Sequence, residues 1–204
     1  MPAYRLFQWS VAAVLLASTS TVAFAQEAPS LQKLYESGQY GAVVERAGEG
    51  RSGSPEDIYL AALAWLKQEN PAAAAAEMRR LQEQGDPGWQ QIGASGVANT
   101  EHNAAEAVAA GQRAVEQAGD NPYSHYQLGL AAAGAGDFET AAHAFARATE
   151  LKPDFAYAHY YAGQSFQKQR ALGRAADHYQ YFLNLAPESP DRAPVVAILR
   201  TLRK

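Results

Sequence analysis

Along residues 122–155, small and apolar side chains return every third or fourth position, and a short glycine-containing stretch interrupts them near the middle. At about 3.6 residues per turn, His125, Leu128, Gly129 and Ala132 fall on one side of a first helix. Phe138, Ala141, Ala142, Phe145 and Ala148 form one stripe along a second. Gly134-Ala135-Gly136-Asp137 lies between the two patterns, and Pro153 follows the second. The arrangement predicts an antiparallel helix hairpin whose two stripes pack on each other. Gly129 and Ala141 let the backbones approach, and Phe145 fills the space that opens beyond them. Glu139, His143, Arg147 and Glu150 fall off the stripe and are expected in water.

The same order returns 34 residues later. Tyr123, His125, Tyr126, Gly129, Ala141 and Pro153 recur as Tyr157, His159, Tyr160, Gly163, Ala175 and Pro187, with Phe138 answered by Leu172 and Phe145 by Tyr179. A self-similar unit of this length predicts hairpins stacked side by side rather than one globular core. In its residues, Leu128-Gly129, Gly136-Asp137-Phe138, Ala141, Phe145, Ala148 and Pro153, the unit resembles the tetratricopeptide repeat. Residues 156–189 resemble it again through Gly163, Phe166, Leu172, Ala175, Tyr179 and Pro187. Two positions depart from the family pattern: Arg170 stands at the turn glycine, and Phe182 replaces a small alanine. The resemblance implies an all-α, right-handed superhelical solenoid with no catalytic machinery of its own.

Upstream the pattern weakens. Residues 55–121 read as two degenerate units. The first has Ile58, Ala61, Ala62 and Trp65 on one face, then Ala74, Met78 and Leu81 on the next helix. The second keeps Ala107 and Ala114 but carries Gly93, Gly96 and Gly111 inside its helices, each costing up to about 1 kcal/mol relative to alanine. Within residues 26–54, Gly38-Gln39-Tyr40 with Val43 and Ala47 reads as the turn and second helix of a truncated first unit. Residues 190–204 close the stack: Val195, Val196, Ile198, Leu199 and Leu202 make an apolar stripe for a capping helix, with Arg200, Arg203 and Lys204 near its negative end.

Residues 1–25 are expected to be a cleavable signal peptide. Arg5 supplies a positive start, residues 11–17 are unbroken apolar, and Ala23-Phe24-Ala25 fits the small-x-small cleavage pattern, so the mature chain would begin at Gln26. Polar residues from Gln8 to Ser10 and from Ser18 to Thr21 make the segment a poor membrane span. The expected location is the periplasm or the medium. With no cysteine, the chain forms no disulfide and takes no thioether lipid anchor. Composition agrees with the helical reading, because alanine dominates residues 71–76 and 104–110 and no stretch alternates convincingly with period two. With 17 basic against 21 acidic side chains the chain has no general attraction for nucleic acid or anionic lipid.

Catalytic and metal motifs do not assemble. The five histidines contain no His-Glu-x-x-His, there is no Gly-x-Ser-x-Gly elbow or Walker loop, and no cofactor is implied. Gly48, Gly50 and Gly53 match Gly-x-Gly-x-x-Gly spacing but follow a helical pattern instead of a strand, so they read as an inter-repeat loop. What remains is a row of aromatics on the first helix of each unit. Tyr123, Tyr126, Gln127 and Leu130, then Tyr157, Tyr160, Tyr161 and Gln164, lie on the side away from the hairpin partner. By resemblance to the family that face lines a concave groove for peptides or partner helices. Trp89 and Ile92, and less strongly Tyr59 and Leu63, extend it. Exposed aromatics are what binding hot spots favour; contacts between repeats are the competing use of the same residues. The basic and asparagine residues with which family members clamp a terminal carboxylate are not matched, since Tyr126 and Leu130 stand there.

The expected function is a non-enzymatic, exported adaptor presenting this groove to a protein or peptide partner in the bacterial envelope. Two alternatives stay open: a fixed subunit or assembly factor of pilus, polysaccharide or outer-membrane machinery, and a glycan-binding module.

Overall fold

The computed structural model describes residues 28–49 and 53–202; the expected signal peptide, Gly50, Arg203 and Lys204 lie outside the described residues. The described residues form helices and no strand. Five hairpins follow one another: α1 (Leu31–Glu36) with α2 (Tyr40–Glu49), α3 (Pro55–Lys67) with α4 (Pro71–Gln84), α5 (Pro87–Thr100) with α6 (Ala104–Gln117), α7 (Pro122–Gly134) with α8 (Phe138–Leu151), and α9 (Ala156–Lys168) with α10 (Leu172–Leu185). A single helix, α11 (Arg192–Leu202), packs on α10 through Val195 and Leu199, closing the stack at that end. Each helix from α2 to α11 packs on its neighbours in sequence, as a solenoid requires.

Local chemistry sets the helix boundaries. Ser54 and Asp57 form a reciprocal capping box at α3, and the side chains of Asn70, Asp86, Asn103, Asn121 and Asp137 accept backbone N–H groups at the starts of α4 to α8. Prolines 55, 71, 87 and 122 occupy the first helical turn, where the missing N–H costs nothing. Each hairpin turn contains one left-handed residue: Gly38, Glu69, His102, Gly136 and Arg170, with φ between 57° and 81°. The repeat is therefore regular in backbone even where its sequence is degenerate. Three of the five are not glycine, and a Cβ in this region is strained. Arg170→Gly is expected to raise stability by about 0.5–1 kcal/mol, with Gly136→Ala moving it the other way. Urea midpoints check this, and an unchanged or lowered midpoint for Arg170→Gly refutes the strain.

Gly93, Gly96, Gly129 and Gly163, all inside helices, have a packing reason. A Cβ on Gly129 would lie 2.7 Å from the Phe145 ring, as expected from sequence. One on Gly93, in the most degenerate unit, would come 2.4 Å from the backbone oxygen of Met78, so α5 sits directly against α4. The apparent weakness of that unit is the condition for its close packing.

Helix α3 is the exception to a one-sided pattern. Its residues from Ile58 to Ala64 are all buried, and no charge occurs between Asp57 and Lys67. A helix apolar on every side lies inside the molecule, and α3 occupies the hollow of the solenoid.

Candidate partner-binding face

The first helices of the hairpins turn their aromatic residues inward, onto α3 and α1. Tyr59 of α3 stands with its ring 5.5 Å from Tyr123, 6.0 Å from Trp89 and 6.4 Å from Tyr126. Its hydroxyl donates to Gln127 Oε1 at 2.8 Å, Gln127 Nε2 donates to Ser95 Oγ at 3.1 Å, and Ser95 Oγ donates to the Ala107 carbonyl at 2.8 Å. This buried chain ties four helices together. Tyr123 Oη donates to the Glu56 carboxylate at the start of α3.

Helix α1 closes the ring against α9. Tyr35 packs 4.9 Å from the Tyr157 ring, and the hydroxyls of Tyr40 and Tyr157 meet at 3.2 Å. Helix α9 has no capping side chain of its own, because Phe155 stands at its N-cap. Glu36 supplies the acceptor from 120 residues upstream: its Oε1 takes the Ala156 N–H at 3.0 Å and the Gln32 amide at 2.9 Å, while Lys33 donates to Oε2 at 2.9 Å. Gln32 also donates to the Asp154 carbonyl at 2.9 Å. Glu36 is 1% exposed, so this carboxylate at a helix N-terminus lies almost out of water, where the helix dipole and N–H groups favour it most. Farther along the seam, Lys67 and Tyr157 both donate to Asp191 Oδ2, at 3.1 and 2.7 Å.

The open aromatic groove expected from sequence is thus largely filled. Tyr126, Tyr157 and Ile92 are 0% exposed, Gln127 1% and Tyr123 3%, and Tyr59 and Leu63 are buried with them. Folding uses these rings to bury the sides of α1 and α3 that face them. Burial raises the Tyr35, Tyr59 and Tyr126 hydroxyl pKa values well above the ordinary range, so all three stay neutral. Leu130, Tyr160, Tyr161, Gln164 and Trp89 remain half-buried. Of these, Leu130, Tyr161 and Gln164 line recesses. One, of about 160 Å³, lies between Leu63, Leu66, Leu130 and Tyr161. The other, of about 440 Å³, extends from Tyr161 and Gln164 past Tyr179 to Lys168 and Arg170. Neither Lys168 nor Arg170 has a carboxylate in ion-pair range among the described residues, and Lys168 instead lies 5.7 Å from the Phe138 ring centre.

The histidines repeat a structural role. His125 Nε2 meets the Gly119 carbonyl at 2.9 Å and His159 Nε2 the Pro153 carbonyl at 3.2 Å, six residues back in both cases. A carbonyl only accepts, so His159 carries its proton on Nε2 and accepts at Nδ1 from His178 Nδ1–H, 3.1 Å away. Burial first, then the neighbouring His159, depresses the His178 pKa to about 4. The pair is a neutral packing element. Among the described residues no group of three or more His, Asp or Glu side chains is placed to hold a metal.

Sequence reasoning missed Gln32, Glu36, Lys67 and Asp191. One signal was available: the uncharged run between Asp57 and Lys67 marks α3 as a helix to be covered from every side. Nothing in the six residues of α1 announces a partner so far along the chain.

Comparison with known proteins agrees with this architecture. A family model described as tetratricopeptide repeat matches residues 126–191. Residues 126–191 belong to the tetratricopeptide repeat family, and the described helices as a whole have its fold. TTC0263, a thermophilic tetratricopeptide repeat protein of Thermus thermophilus, superposes with a TM-score of 0.61 at 19% identity over 85% of this chain and 95% of its own. The repeat domain of Arabidopsis OM64 gives 0.53 at 16% identity, over 56% of this chain and 95% of its own. YrrB, described as having an unusual peptide-binding site, gives 0.51 at 20% identity, over 83% and 88%. At such identities the likeness is one of fold. No curated protein matches the sequence.

Proposed function

We propose that the chain is an exported scaffold that receives a protein or peptide partner along the strip of α7 and α9 left uncovered by α1 and α3. A repeat solenoid of this family is a protein-interaction scaffold in fold; the location of the strip and the envelope setting are our reading. The observation that carries it is that Leu130, Tyr161 and Gln164 remain accessible and line recesses, with Lys168 and Arg170, two cations without a carboxylate partner among the described residues, at the far end. Charge complementarity makes the partner segment acidic where it passes these two residues. That YrrB has a peptide-binding site on the same fold is in keeping with this reading. Export is supported by Arg5, the apolar run 11–17 and Ala23-Phe24-Ala25, all in the sequence alone.

One experiment addresses both parts. A photo-crosslinking residue at Gln164, in the full chain expressed in its native cell, is expected to capture a partner, and Lys168→Glu with Arg170→Glu is expected to reduce capture at least tenfold. Intact mass of the uncaptured protein should correspond to a start at Gln26. Capture from His143 on the outer face but not from Gln164 would instead favour the fixed-subunit reading, since the inner face is already closed. A full-length mass recovered in the membrane fraction would refute export.

A further inference from the structure

His125 and His159 stand at the same place in successive units and are anchored alike, each with Nε2 on the carbonyl six residues before it, at 2.9 and 3.2 Å. The shared anchor orients the two rings in the same way, so Nδ1 of each points to the second helix of its own hairpin. What meets it there differs. In the later unit His178 donates to His159 Nδ1 at 3.1 Å, and Tyr181 stacks on the His159 ring with centroids 5.0 Å apart. In the earlier unit, 34 residues before, these two positions hold Ala144 and Arg147.

The place of the two rings is left open. A recess of about 400 Å³ lies there on the outer face, lined by His125, Leu128, Ala144 and Arg147, with the exposed side chains of Glu139 and His143 at its rim. Because a carbonyl only accepts, His125 carries its proton on Nε2 when neutral, and Nδ1 is left as an acceptor. That nitrogen has no hydrogen-bond partner among the described residues. Nor is it sealed from water, since the buried unpaired side-chain groups are the hydroxyls of Ser124 and Tyr126. It is an oriented acceptor that a molecule entering the recess can reach.

The later unit shows what such a space accepts, and the lining of the earlier one agrees. A carboxylate would bring lone pairs against Nδ1 and charge against Glu139, which has no cation in ion-pair range among the described residues. Arg147 offers no compensation, because Glu150 already holds it at 2.7 Å. A hydrocarbon group would take water from Nδ1 and put no donor in its place. A flat ring with one N–H supplies the donor that His178 gives to His159, and Leu128 presents an apolar wall to it. We infer that this recess is a binding site for a neutral imidazole ring, whose N–H is donated to His125 Nδ1. The site is on the outer face, apart from the strip proposed above for the partner, and does not rest on that reading.

The test titrates the full chain with 4-methylimidazole and with 4-methylthiazole, which has the same outline but no N–H, while NMR follows His125 Nδ1 and the Leu128 methyls. A chelator excludes metal bridging, and a pH of about 9, above the ordinary imidazole range, keeps the probe neutral. 4-Methylimidazole is expected to shift both signals and to bind roughly tenfold more tightly than the thiazole. Ala144→His puts a ring where His178 has one and should weaken probe binding by roughly tenfold or more. His143→Ala, at the rim, should change it by less than about twofold. The inference is overturned if His125 Nδ1 does not respond, if the thiazole binds equally well, if folded Ala144→His binds like the wild type, or if His143→Ala abolishes binding. Should Ala144→His fail to fold, the comparison of the two probes on the wild type still decides. N-acetylhistidine methylamide, run in parallel, separates the sources of the ring: binding equal to that of 4-methylimidazole assigns the site to a histidine side chain of another protein, and binding of the free ring alone assigns it to a small imidazole.

Discussion

Glu36→Ala is expected to destabilise the protein by about 2–4 kcal/mol, although Glu36 lies in a helix of six residues. The substitution removes the acceptor for the Ala156 N–H, the first turn of α9 loses its only side-chain cap, and Gln32 and Lys33 lose a partner that is 1% exposed. Glu36→Gln keeps one acceptor oxygen and is expected to lose about half as much. Urea denaturation gives the size of the effect, and amide exchange at Ala156 locates it. A Glu36→Ala protein that melts like the wild type, with Ala156 still protected, would show that α1 does not hold α9.

Phe145→Ala is expected to cost about 3–5 kcal/mol. The ring is wholly buried, 5.5 Å from both Tyr126 and Tyr161, and fills the space left by Gly129. Neither the backbone of α7 nor the two tyrosines, fixed by their other ring contacts, can close the void. His143→Ala, on the exposed side of the same helix, should stay within about 0.5 kcal/mol of wild type. Equal losses at the two positions in denaturant melts would put the wrong face of α8 inward.

The two changes differ in how far the sequence foretells them. Phe145 belongs to a stripe repeated at fixed spacing, so periodicity places it, together with Gly129, Gly163 and the solvated residues Glu139 and Arg147. Periodicity is a property of neighbours along the chain, and it identifies hairpins and their stacking. Glu36 acts on Ala156 through the curvature of the whole stack, which accumulates from small rotations between hairpins and leaves no local pattern. The candidate site was misread for the same reason. Tyr123, Tyr126, Gln127 and Tyr157 do lie on the inner side of their helices, but whether an inner side faces a groove or a core depends on what the curvature brings opposite. Here it brings α1 and α3. The hydroxyls of Tyr59 and Tyr157 find their partners within the protein, in Gln127 and Asp191. The left-handed turns at Glu69 and His102 were equally hidden, because the backbone keeps a geometry that the residue type no longer advertises.

The docking of α1 on α9 also fixes an order of events in synthesis. A chain leaves the ribosome from its N-terminus, so Glu36 emerges 120 residues before the Ala156 amide that it holds. At about 5–20 residues per second the interval is on the order of ten seconds. Throughout it, Tyr35 lacks Tyr157, and Tyr59 lacks Gln127 until α7 has followed. The earliest part of the protein to be made is thus among the last to be finished, and a stop codon anywhere before residue 154 removes the partner of its first helix while leaving that helix intact.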